Sequence, residues 1–111
     1  MAYDERLAAR VGDLMHARPG VSERKMFGGV GWILNGNMAV GIMRTDHLAV
    51  RLPPEEVDEA IRAPYVHEFG RPGTKPMKGF VLIEPAGLQD DATLADWVER
   101  GAARAMELPP K

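Results

Sequence analysis

The spacing of apolar residues changes along the chain and divides it into a helical start, a strand-rich middle and a helical end. Near the amino terminus the apolar positions are Leu7, Val11, Leu14 and Met15. Their spacing of three or four residues predicts an amphipathic helix from about Asp4 to Ala17. From Val21 the period shifts towards two, which predicts strands.

The middle of the chain predicts an antiparallel meander over about residues 21–52. Asn35-Gly36 lies between two apolar runs, and this pair favours a type I′ hairpin turn because both central residues need a positive φ. Further strands are predicted over 37–43 and 47–52. Gly28-Gly29 is expected to interrupt a strand as a bulge or bend would, or to allow close packing of strands.

The second half predicts a short helix, an irregular loop, a strand and a long helix. The short helix begins near Pro54 and stops at Pro64. Residues 65–76 contain glycines and prolines and predict a loop, with room for a brief strand over 65–69. The unbroken apolar run over 80–83 predicts a central strand covered on both faces. Asp90 or Asp91 is expected to cap the final helix. The apolar stripe of that helix consists of Leu94, Trp97, Val98, Gly101, Ala102 and Ala105.

Together these elements predict an α+β fold with two layers. We expect an antiparallel sheet of about five strands with three helices packed on it, in the order α-β-β-β-β-α-β-α. The chain has 111 residues, which is enough for one domain with its own core. We expect this domain to span 1–108, followed by a terminal tail over 109–111.

The amino-acid composition argues against several kinds of site and protein. The chain contains no cysteine, so disulfides, thiolate zinc sites and a cysteine nucleophile are excluded. The amino terminus is acidic where a targeting segment would be basic and apolar, and we expect a soluble cytoplasmic protein. The formal net charge is −2, which does not provide the overall positive field of non-specific nucleic-acid binders.

The residues do not form a recognisable catalytic or metal-binding pattern. His16, His47 and His67 fall on three different predicted elements, without the spacing that makes metal ligation specific. Ser22 is the one serine in the chain. No histidine lies at a position that would predict a catalytic pair with it. We therefore expect no enzymatic activity, no metal and no cofactor.

Three groups of side chains leave alternatives open. Trp32 and Trp97 favour core positions with the indole N–H bonded to a backbone carbonyl, although either ring would also serve as the wall of a small-ligand pocket beside the last helix. The methionines that border the predicted sheet indicate either core filling or an adaptable binding surface. A set of cations lies in the sheet and loop half and indicates an anion-binding face or ordinary solvated charges. The set comprises Arg24, Lys25, Arg44, Arg51, Arg71, Lys75 and Lys78.

The order of the motifs resembles the amino-terminal domain of the TfoX/Sxy competence-regulator family over nearly the whole chain. The motifs are Met-Phe-Gly-Gly-Val-Gly at 26–31, Asn-Gly-x-Met at 35–38, Leu-Ala-Val-Arg-Leu at 48–52, Pro-Met-Lys-Gly-Phe-Val at 76–81 and Leu-x-x-Trp-Val at 94–98. The family signature is carried by Met26, Phe27, Gly28, Gly29 and Gly31. The resemblance is to the short, single-domain members and implies a two-layer α+β fold without catalytic residues.

The resemblance also implies a regulatory role exercised through contact with a protein, because longer members regulate transformation genes together with the cyclic-AMP receptor protein. We expect the working surface to combine the glycines at 28–31 with the loop at 70–79. The candidate contact residues are Arg24, Lys25, Arg71, Lys75, Met77 and Lys78. Direct nucleic-acid binding through a cationic sheet face and small-ligand binding are the alternatives. A homodimer through an exposed strand edge or an exposed methionine patch is compatible with each of these functions.

Overall fold

The computed structural model describes residues 3–26, 28–70 and 79–111. Within these ranges the helices are α1 Glu5–Met15, α2 Pro54–Ala60 and α3 Asp91–Glu107. The strands are β1 Ser22–Met26, β2 Gly29–Leu34, β3 Asn37–Ile42, β4 Leu48–Arg51, β5 Val66–Glu68 and β6 Phe80–Ile83. A single 3₁₀ turn, Pro85–Leu88, precedes α3 in the described residues.

The strands form one antiparallel sheet with the order β1-β2-β3-β4-β6-β5. The predicted meander is confirmed, because β1, β2, β3 and β4 pair in sequence. The sheet has six strands rather than about five, since the brief strand allowed for at 65–69 forms as β5 on the outer edge of β6. Strand β6 is therefore internal, as expected. Its coverage is uneven, because Val81 is buried on one face whereas Leu82 on the other is only half-buried.

The Asn35-Gly36 turn has the predicted geometry. The φ angles are 58° at Asn35 and 79° at Gly36, and a type I′ turn requires positive values at both positions. The Leu34–Asn37 pair closes the hairpin.

The glycines at 28 and 29 do not interrupt a strand in the way that was expected. Met26 pairs directly with Gly29, so the chain reverses there and forms the β1–β2 hairpin. Gly28 has a φ of 79°, which suits a tight turn. Close strand packing, the other expectation, is present at Gly29, because a Cβ there would lie 2.0 Å from the carbonyl oxygen of Ile42.

The bulge of the sheet lies in β3 instead. Trp32 pairs with Val40, but the next residue of β2, Ile33, pairs with Met38. Ala39 is thus the extra residue, and it shifts the alternation of side chains in β3 by one position. As a result, Asn37 and Val40 both point towards the helices, whereas Met38 points to the other face.

The helices cover one face of the sheet. Helix α3 approaches the sheet closely at Gly101, where a Cβ would lie 2.6 Å from the carbonyl oxygen of Ala39 and 2.7 Å from Cγ1 of Val40. All six residues of the predicted α3 stripe are buried. Asp90 caps this helix by accepting a hydrogen bond from the Thr93 N–H. Helix α1 packs beside α3, and Asp4 caps it by accepting from the N–H of Arg6.

The last residues fold back onto the β2–β3 turn. Asn37 is buried at 2% exposure. Its side-chain amide lies within hydrogen-bond distance of the carbonyl oxygens of Asn35, Ala105 and Pro109. The Lys111 N–H donates to the Asn35 carbonyl at 3.1 Å. The residues that were predicted as a tail over 109–111 therefore contact the hairpin turn.

Candidate functional site

Paired glycines form the floor of a trough on the face of the sheet that the helices leave uncovered. Gly31 and Gly41 are direct partners on β2 and β3. The neighbouring pair, Trp32 and Val40, points to the helices, so side chains at positions 31 and 41 would point the opposite way. Because neither glycine has a side chain, the backbone itself forms the floor, and both glycines are buried beneath neighbouring side chains. We call this side of the sheet the open face.

The β3 bulge supplies one wall of the trough. By directing Met38 to the open face, it brings this side chain over both glycines. A Cβ on Gly41 would lie 2.7 Å from Cε of Met38, and a Cβ on Gly31 would lie 3.5 Å from its Sδ. Met26 comes from the other side, with Cε 3.3 Å from the same Gly31 position. Two flexible thioether side chains therefore border the floor.

The trough and its walls enclose an apolar pocket of about 310 Å³. Phe69 and Phe80 close one end, with ring centroids 5.6 Å apart. The described residues lining the pocket are Met26, Gly29, Val30, Gly31, Met38, Gly41, Ile42, Met43, Arg51, Phe69 and Phe80. Small-molecule sites have this character, with apolar walls and few polar groups.

Arg51 supplies the cation at this pocket. Its Nε donates to the Met38 carbonyl at 2.6 Å, and its guanidinium carbon lies 4.5 Å from the centroid of the Phe80 ring. Burial lowers the pKa of the Arg51 guanidinium, and the positive charge of Arg104 lowers it further. An arginine nevertheless keeps its proton at neutral pH. Among the described residues, no carboxylate forms a salt bridge with Arg51.

The structure separates two of the predicted contact residues. Arg24 pairs with Gly31 and therefore lies on the open face, whereas Lys25 pairs with Val30 and lies on the opposite face. Both side chains are exposed. The remaining predicted contact residues, Arg71, Lys75, Met77 and Lys78, lie outside the described residues, as does Phe27 of the family signature.

The other residues of the family signature allow the local backbone conformation and form part of the trough. Gly28 occupies the hairpin turn, where a Cβ would lie 2.5 Å from Cδ of Arg44. Gly29 allows the close approach of β2 to β3, and Gly31 is part of the floor. Met26 lines the pocket. Four of the five residues thus shape one corner of the open face.

Sequence reasoning did not find Gly41, Phe69 or Phe80 as site residues. Arg51 was counted only as one of several cations. A signal for Gly41 existed, because an isolated glycine within a strand pattern indicates a bulge or a close approach. The contact of Phe69 with Phe80 had no local signal, since it depends on the pairing of β5 with β6.

The tryptophans lie in the core rather than at this pocket. Trp32 is 1% exposed and Trp97 is 9% exposed. The Trp32 indole N–H donates to the Glu23 carboxylate at 3.1 Å, and not to a backbone carbonyl as predicted. Trp97 borders a second depression of about 570 Å³ beside Tyr65 and Gly87.

The histidines have local partners. His16 contacts the Glu23 carboxylate at 3.0 Å, His47 contacts the Thr45 carbonyl, and His67 contacts Glu84. Over residues 3–26, 28–70 and 79–111, acidic side chains and histidines form no cluster suited to holding a metal ion. In the same ranges, no helix has the length and hydropathy needed to cross a membrane.

The family model of the TfoX N-terminal domain matches residues 13–105. The chain belongs to this family. The match runs from α1 to the end of the α3 stripe, so this TfoX N-terminal domain contains the whole sheet and the open-face pocket. Membership assigns the chain to the competence and regulatory type of module. A search of the curated proteins gave no significant match.

Proposed function

We propose that this TfoX N-terminal domain is a non-catalytic cytoplasmic regulatory module that binds a protein partner on its open face. The observation that carries the proposal is the apolar pocket at the signature glycines. A monomer normally covers such a surface or uses it for binding. We propose the transcription machinery as the partner class, because longer members of the family regulate transformation genes.

The composition of the open face supports binding to a protein. Met26, Met38 and Met43 line the pocket, and methionine side chains adapt to partners of different shape. Arg24 adds an exposed cation at the β1 edge of the same face. Aromatic rings, methionine and arginine are enriched in protein interfaces.

The neighbours Arg24 and Lys25 allow a matched test, because they are exposed on the same strand but lie on opposite faces. A photo-crosslinking amino acid is placed at position 24 in one variant and at position 25 in the other, and both are expressed in the native host. We expect one protein to be captured from position 24 and not from position 25. Mass spectrometry identifies it, and purified components must reproduce the complex.

The charge variants provide the second arm. Arg24→Glu should weaken the reconstituted complex, whereas Lys25→Glu, with the same change of charge, should leave it intact. Equal effects of the two variants, or equal capture from both positions, would contradict docking on the open face. The loop residues remain part of the predicted surface, and Lys78→Glu tests them by the same assay.

Direct nucleic-acid binding is the second candidate, and the placement of Arg24 and Arg51 on one face favours it. The strand register places both side chains on the open face, because Arg24 pairs with Gly31 and Arg51 pairs with Phe80. Binding to phosphates would release counterions, so affinity for a labelled DNA duplex should fall steeply with salt. Absence of binding at low salt, or an affinity that does not change with salt, would eliminate this candidate.

A further inference from the structure

The open-face pocket combines an apolar body with a single cation, and this combination indicates a class of ligand. We propose that the pocket binds a small organic carboxylate, with its hydrocarbon part on Gly31 and Gly41 and its carboxylate on the Arg51 guanidinium. The proposal goes beyond the proposed function and does not depend on it, because a ligand can bind here in the absence of any protein partner.

The size and lining of the pocket suit a small molecule. Its volume of about 310 Å³ lies at the lower end of the range of about 300–1,000 Å³ for ligand pockets. The ends of Met26 and Met38 lie over the glycine floor. A ligand that reaches the floor displaces them, and flexible methionine side chains can then adjust around a ring or a short chain. A monocyclic or short aliphatic body fits such a space better than a nucleotide, since phosphates require several donors.

Arg51 determines the charge of the ligand. Its Nε is held by the Met38 carbonyl and its plane rests near the Phe80 ring, so the orientation of the guanidinium is fixed. In the described part of the chain, its terminal nitrogens donate no hydrogen bond and meet no carboxylate. The Arg51 side chain is half-buried, and an anion bound to its guanidinium compensates the part of the charge that is removed from water. A carboxylate does so well, because the terminal N–H groups of arginine match its two oxygens.

Three probes with the same body separate the charge from the apolar contact. We would titrate the ¹⁵N-labelled protein with 4-phenylbutyrate, 4-phenylbutanol and 4-phenylbutylamine and follow the amide signals by NMR. The carboxylate should give saturable shifts at Gly31 and Gly41 and at Arg51 Nε. It should bind about tenfold or more tightly than the alcohol, given the usual strength of a charged hydrogen bond. The amine should bind more weakly than the alcohol.

Two variants test the floor and the cation separately. Gly41→Ala places a methyl group where only the flexible end of Met38 is closer than 3.0 Å, so the fold should tolerate it while the affinity for the carboxylate and the alcohol falls. Gly12→Ala in α1 is the control and should leave both affinities unchanged. Arg51→Gln should remove the advantage of the carboxylate over the alcohol. If this variant does not fold, the three-probe comparison on the unaltered protein still decides the charge.

Equal affinity for the three probes would overturn the role of Arg51, and saturable shifts that avoid Gly31 and Gly41 would overturn the site. Absence of saturable binding would overturn the proposal as a whole. None of these results affects the crosslinking outcome at position 24, so failure of the ligand proposal and failure of the proposed protein contact can be told apart.

Discussion

Gly101 and Gly12 are both buried glycines in α-helices, and we predict that the same substitution at these two positions has effects of opposite sign. In a helix interior, alanine is favoured over glycine by about 1 kcal/mol. Helix propensity alone would therefore make both alanine variants more stable. The surroundings of the two positions differ, and this difference should decide the outcome.

At Gly101 the new methyl group meets the sheet. Its Cβ would lie 2.6 Å from the Ala39 carbonyl oxygen and 2.7 Å from Cγ1 of Val40. The first atom belongs to the backbone and the second to a short β-branched side chain, so neither can turn aside. The helix must move away from β3. Overpacking of this kind costs about 1–3 kcal/mol.

At Gly12 the nearest atoms are 3.5 Å and 3.8 Å away, both on the His16 ring, and Trp32 follows at 3.9 Å. These are ordinary van der Waals distances. We therefore expect Gly12→Ala to raise the free energy of unfolding by about 0.5–1 kcal/mol. At Gly101 the contact with a backbone oxygen places the packing cost in the upper part of its range, at about 2–3 kcal/mol. After subtraction of about 1 kcal/mol for helix propensity, Gly101→Ala should lower the free energy of unfolding by about 1–2 kcal/mol.

Urea denaturation followed by circular dichroism measures both effects. With a slope of about 1–3 kcal/mol per molar urea, the urea midpoint of Gly101→Ala should fall by about 0.3–2 M. The slope itself should not change, because the fold is retained. If Gly101→Ala were as stabilising as Gly12→Ala, α3 would not make the close contact with β3 on which this prediction rests.

Three further predictions concern the turn, the cap and the hairpin. Asn37→Ala removes a buried amide whose two N–H groups serve carbonyl oxygens at the β2–β3 turn and near the end of α3, and it should lower the free energy of unfolding by about 1–3 kcal/mol in urea denaturation; no change would contradict the buried amide contacts. At Asp90 the Thr93 N–H, followed by the Thr93 hydroxyl, lowers the pKa of the carboxyl group. The charged cap therefore stabilises the fold above the ordinary carboxyl pKa and loses this effect as pH falls through the lowered value, so the stability difference between wild type and Asp90→Asn should shrink on acidification. Gly29→Ala should prevent native pairing of β2 with β3, whereas Gly31→Ala, which meets only flexible methionine ends, should fold with a normal circular dichroism spectrum.

The elements that sequence reasoning predicted well are specified by local chemistry. The Asn35-Gly36 turn needs two positive φ angles, and few residue pairs accept them as readily. Asp90 lies directly before the apolar period of α3, where an N-cap carboxylate finds free N–H groups. The six-residue stripe of α3 follows from helical spacing alone. In each case the signal and the structure lie within a few residues of one another.

The pocket could not be predicted in this way, because it depends on pairing between distant residues. Gly31 and Gly41 form a floor only through the register of β2 with β3, and a shift of that register by one residue would place the two glycines on opposite faces of the sheet. The sequence predicted a bulge or bend at Gly28-Gly29, or close strand packing there, and the close packing is present at Gly29. The actual bulge is at Ala39, whose small apolar side chain gives no local signal.

The bulge at Ala39 connects the stability of the fold with the candidate site. In a regular β3, Met38 would lie on the same face as Val40 and Asn37 would lie on the other. The extra residue reverses both, so Asn37 reaches the carbonyl oxygens near the end of α3 and Met38 reaches the glycine floor. The same shift leaves the Met38 carbonyl facing Arg51, which orients the guanidinium at the pocket. Because Gly101 packs against Ala39 and Val40, α3 supports this irregular backbone from the helix side. One inserted residue therefore accounts for the buried amide, the methionine wall and the position of the cation.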